Sequence, residues 1–112
     1  MIKLQVNNKR VLWEDGHLDL NLPVLEAIRL DERILVIYDY MAYRRGNAAR
    51  NLVAYNTNGE RLWAAEAVGQ CAETDAYVDF MSEKPLIVWN YSCCRCTIDP
   101  NTGKLLASEF TK

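Results

Sequence analysis

Hydrophobic and polar residues alternate along most of the chain, and no stretch sustains a long helical stripe. Side chains two residues apart then share a face, which is the geometry of β-strands. ILVIYDY (34–40) and PLIVWNY (85–91) show this best. They align with a constant offset of 51 residues, so Val36, Tyr38 and Tyr40 on one face match Ile87, Trp89 and Tyr91 on the other, and Asp39 matches Asn90. The segments after these two strands match as well. LVAYNTNGERLW (52–63) and RCTIDPNTGKLL (95–106) are both strand, turn, strand, with turns at NTNG and DPNTG, where Asn, Asp and Gly tolerate left-handed backbone. A shorter copy, LQVNNKRVLW (4–13), turns at Asn7-Asn8, and Trp13 and Trp63 come after their turns where Leu106 comes after the last.

VLEAIRL (24–30) and AYVDFM (76–81) lead the two full units. A helix over 22–32 also fits the apolar spacing, with Pro23 able to start it, but the repeat requires a strand. The expected fold is therefore all-β: one domain over 1–112, with an antiparallel meander of about two and a half blade-like units. These are an N-terminal hairpin (2–13) and repeats over approximately 24–66 and 76–110.

A four-stranded unit with this period is a blade signature. LVAYNTNGERLW and IDPNTGKLL resemble the blade repeat of pyrroloquinoline-quinone-type β-propellers. The resemblance implies local strand geometry only, since no cofactor-binding residue of that family has a counterpart here. Closed propellers use four to eight blades. Two and a half must curl into a small open, sandwich-like or barrel-like sheet, or pair with another chain.

Charge and composition narrow the classes. At 112 residues, with half of them hydrophobic, a quarter charged and a net charge of −2, the chain is an ordinary globular one with no strong pull on nucleic acid. MIKLQVNN lacks a signal-like apolar core and ILVIY is too short to span a bilayer, so a cytoplasmic protein with no membrane partner is expected. Thiols there stay reduced.

Candidate chemistry is sparse. Cys93, Cys94 and Cys96 crowd one strand, yet their spacing, with only Cys71 and His17 to help, does not build a paired zinc site. Aligned by its turn, Cys96 falls where Val53 and Leu4 fall, which makes Cys94 and Cys96 small apolar residues on an inward face. Asp39 and Asn90 are expected to bond nearby backbone at the ends of their strands. No catalytic residue, metal or cofactor is predicted.

The loop 41–51 departs most from the repeat. It carries Arg44, Arg45 and Arg50 beside Tyr43, residue types suited to phosphate or carboxylate. Tyr38, Tyr40, Trp89 and Tyr91, grouped at one end of the sheet, are expected to build a core, and in an open sheet some of them form a second candidate binding surface. The function expected is a non-enzymatic protein-interaction module that forms a homodimer and binds a protein partner. By analogy alone it is a small bacterial-type orphan, like an immunity partner or the product of a mobile gene cassette. One alternative is anion or nucleic-acid binding through the loop 43–50, and another is a hydrolase using His17. The N-terminal hairpin (4–13) and LLASEF (105–110) are the expected open edges.

Overall fold

The structure, a computed structural model, describes residues 1–44, 46–69 and 71–110. Among these the chain forms three antiparallel sheets, none closed into a barrel. The N-terminal sheet contains β1 (Gln5–Asn7), β2 (Arg10–Trp13) and β3 (Gly16–Asp19). The central sheet runs in chain order through β4 (Val24–Leu30), β5 (Arg33–Tyr38), β6 (Leu52–Asn56) and β7 (Arg61–Ala64). The C-terminal sheet repeats that meander with β8 (Tyr77–Ser82), β9 (Ile87–Asn90), β10 (Cys94–Ile98) and β11 (Leu105–Phe110). Residues 24–30 are a strand rather than a helix, because Ala27, Ile28 and Leu30 are buried between neighbours on both sides of β4.

Three layers result, with the central sheet in the middle. Leu35, Ile37, Leu52 and Ala54 pack against Tyr77, Phe80, Val88, Cys94, Cys96 and Ile98 of the C-terminal sheet. Their alternating neighbours Ile34, Val36, Tyr38 and Val53 pack against Val11 and Leu18 of the N-terminal sheet. Five of the six residues of β5 are consequently buried, as an apolar run covered on both faces requires. Full burial of each such Ile or Leu contributes about 1.5–3 kcal/mol.

The sheets are stitched at their edges. Leu4 N–H donates to the Ala27 carbonyl at 2.8 Å, and Lys3 bridges to Ile28, so the N-terminal hairpin is tied to β4. This corrects its expected role as an open edge. Glu26 on β4 accepts from Phe80 N–H at 3.0 Å and pairs with Lys3 at 2.6 Å, while Lys3 also reaches Asp79 at 3.0 Å. At the other end the Trp63 indole donates to the Pro100 carbonyl at 3.0 Å and lies over Gly103. A Cβ at Gly103 would sit 2.5 Å from that ring.

Two local expectations shift by one residue. The turn after β6 closes at Asn56 N–H, two residues past the core residue Ala54, whereas the turn after β10 closes at Asp99 N–H, one residue past the core residue Ile98. Because strand faces alternate, counting back from the turn lands on the wrong face. Cys96 opposes Val88 and shares the core of Leu52, while Val53 faces the N-terminal sheet. Likewise Leu105, not Leu106, packs on the core where Trp63 does. The strand at Gly16–Asp19 is an addition: Glu14 and Asp15 form the turn, but the chain continues as β3.

Candidate functional site

The connection from β5 to β6, residues 39–51, is the longest departure from the repeat; β9 and β10 are joined by 91–93 alone. It starts as the repeat does. Asp39 Oδ1 accepts from Met41 N–H at 2.9 Å and Asn90 Oδ1 accepts from Ser92 N–H at 2.9 Å, the same side-chain turn in both units. A single 3-10 turn (Tyr40–Ala42) comes after Asp39. The loop ends on Arg50, at φ +47°, whose guanidinium donates from Nε to the Ala65 carbonyl and from Nη2 to Ala64, both at 3.1 Å. Asn51, fully buried, then donates to the Tyr38 and Tyr77 carbonyls at 2.7 Å and accepts from Tyr77 N–H at 2.8 Å. The loop is thus anchored at both ends.

Its arginines diverge. Arg50 lines a cleft of about 320 Å³ with Tyr38, Tyr43, Tyr55, Arg61 and Asn21. Arg44 lines a separate cavity of about 260 Å³ with Tyr40, Glu73 and Asp75. Arg45 lies outside the described residues. In the cleft, the Tyr38 and Tyr55 hydroxyls share a hydrogen bond of 2.5 Å. Burial is the main reason the Tyr38 and Tyr43 phenols titrate above their ordinary range; for Tyr38 the bond to Tyr55 adds to it. Both remain protonated donors at neutral pH.

The four aromatic candidates do not form one surface. Tyr40 and Tyr91 do meet, edge to face, with ring centres 5.8 Å apart. Tyr38 belongs to the core under the N-terminal sheet. Trp89 is half-buried and stands opposite Asp79 and Arg95 in the strand register of the C-terminal sheet. The reason is the alternation itself: the outer face that holds Tyr38 is covered by β1–β3, and no such sheet lies over β9.

Tyr55 and Arg61 are the residues that sequence reasoning passed over. They are register partners across the NTNG turn, so the hairpin pattern alone could have paired them. His17 is exposed on β3, 3.6 Å from Asp19, which itself holds Arg10. Cys94 and Cys96 are buried, and burial pushes the Cys96 thiol up to about 12, while Cys71 and Cys93 are exposed. A thiol so shifted is not a nucleophile at neutral pH. Among the described residues no three His, Cys, Asp or Glu side chains group as metal ligands do. Asp75, also buried, is consumed by Val68 and Gly69 N–H groups and by Asn90 Nδ2.

No curated protein and no solved structure matches the chain. A family model matches residues 1–110, and the chain belongs to that family, described as a domain of unknown function (DUF7957).

Proposed function

We propose that the chain is a non-enzymatic interaction module that works as a homodimer joined through β11. The observation that carries this is the state of that strand. β11 is the outermost strand of the C-terminal sheet, and five of its six residues are exposed. Leu106 and Phe110 are 62% and 63% exposed, a costly display for apolar side chains on a strand edge. The other outer strand of that sheet, β8, is blunted by Glu26 and Lys3.

A second copy fits this edge by its sequence. Antiparallel pairing centred on Ser108 sets Leu106 opposite Phe110 of the second copy, twice, and sets Ala107 opposite Glu109, so the two glutamates do not meet. Phe110 of the second copy then lies beside Leu106, which lines a groove of about 410 Å³ with Pro85, Leu86 and Ile98. None of the four cysteines forms a disulfide, which suits a reducing compartment such as the cytoplasm. Among the described residues no helix is long and apolar enough to cross a membrane.

Light scattering at micromolar concentration tests the proposal, with twice the chain mass expected. The double variant Leu106→Lys, Phe110→Lys should give the single mass and an unchanged fold, because both positions are exposed in the single chain. A single mass for the unaltered protein that persists on concentration overturns it.

A further inference from the structure

The cleft between the N-terminal and central sheets holds positive charge with no acid to balance it, and more hydrogen-bond donors than its own acceptors take up. Its charged lining consists of Arg50 and Arg61, with no carboxylate. Four bases elsewhere do pair with acids: Arg10 with Asp19, Arg29 with Asp15 and Glu32, Lys3 with Glu26 and Asp79, Lys84 with Asp31. The Arg61 guanidinium makes no hydrogen bond or ion pair among the described residues.

The hydroxyls are equally open. In the Tyr38–Tyr55 pair one phenol donates and the other accepts, so the accepting phenol keeps a proton with no partner among the described residues. The Tyr43 hydroxyl likewise has no hydrogen-bond partner there. Arg50 is held rigid by the Ala64 and Ala65 carbonyls through Nε and Nη2, which leaves the rest of its fork free at the cleft wall. The donors that line the cleft are therefore the tyrosine hydroxyls and the two arginine side chains.

We infer that this cleft is a binding site for a phosphate group, in which Arg50 and Arg61 neutralise the charge and Tyr43 and the Tyr38–Tyr55 pair donate to its oxygens. Several separate donors, on two arginines and the tyrosines, suit an oxyanion with several acceptor oxygens better than a planar carboxylate, which a single arginine fork satisfies. Preorganisation favours binding as well, because Arg50 is already fixed by the Ala64 and Ala65 carbonyls. The volume leaves room for a small group bonded to the phosphate. The site is remote in sequence from β11, so it stands or falls independently of dimer formation.

Isothermal titration with inorganic phosphate, and with acetate at matched ionic strength, tests the assignment. Phosphate should bind at one site per chain, weaken as salt is raised, and stabilise the protein against heat, with acetate at least about tenfold weaker. Arg61→Gln should weaken phosphate about tenfold or more, with the unfolding midpoint in phosphate-free buffer unchanged, and Arg61→Lys should restore part of the affinity. Tyr43→Phe should weaken it by a smaller factor. No binding of millimolar phosphate by the unaltered protein, equal binding of acetate, or binding indifferent to Arg61→Gln would each overturn the inference.

Discussion

The central and C-terminal sheets are the same four-strand meander built twice, and they end in opposite situations. In the central sheet ILVIY is buried on both faces, one against the C-terminal sheet and one against β1–β3. In the C-terminal sheet the matching strand, Ile87–Asn90, buries alternate residues only. Ile87 and Trp89, the counterparts of Val36 and Tyr38, are half-exposed. Arg95 and Glu109 accompany Trp89 across the register. What separates the two units is therefore not their strand chemistry but the layer laid over one of them. A sheet with both faces covered is a scaffold; one with an open face and an open edge is where partners can be met.

The largest test of that difference is a matched pair of truncations. Ile34→Ala, beneath the N-terminal sheet, should cost about 2–5 kcal/mol, whereas Ile87→Ala on the open face should cost less than about 1.5 kcal/mol. Urea unfolding measures both, and equal losses would mean that β1–β3 do not pack as described. Next comes Asn51→Ala, which strands three buried backbone groups of the two sheets at about 1–3 kcal/mol each before relaxation. Asn90→Ala should cost less, since Asp75 keeps its two backbone donors.

Gly103→Ala should lower stability by more than about 1 kcal/mol, through its φ of +77° and the Trp63 ring above it. A neutral result by thermal melting would show that Trp63 does not lock the two sheets at that turn. The smallest effect belongs to Lys3→Ala. Hydrogen bonds donated to Glu26 first and Asp79 second hold the Lys3 ammonium above its ordinary range. Its contribution is thus complete below the unfolded-state value and is lost as pH rises through the folded one. With Lys3 nearly half exposed, the change should stay below about 1 kcal/mol at neutral pH.

Much of this architecture is legible in the chain. Alternation and the 51-residue offset locate the two meanders, and Asp39 and Asn90 do make the same turn. Register is less legible, because the turn begins two residues past Ala54 in one unit and one residue past Ile98 in the other, which reverses the inward face in an alignment by turns, and turn chemistry alone does not reveal it. The third layer is hidden for a different reason. GHLD is too short and polar to announce β3, and nothing local says that a hairpin folds back over Val36 and Tyr38. The arginine loop is recognisable by composition, yet its geometry is not. Arg44 and Arg50 leave it toward different cavities, and the partner that completes the Arg50 cleft, Arg61, comes from a hairpin that looks structural.

Residue-resolved amide hydrogen exchange tests the central claim most directly, because it reports the protection of each strand separately. β5 amides (33–38) should exchange only through global unfolding, at any protein concentration. β11 amides (105–110) that do not bond to β10 should exchange fast in dilute solution and gain protection as the sample is concentrated. Fast exchange along β5, or full protection of β11 at the lowest concentration, would contradict a covered central sheet beside an open edge.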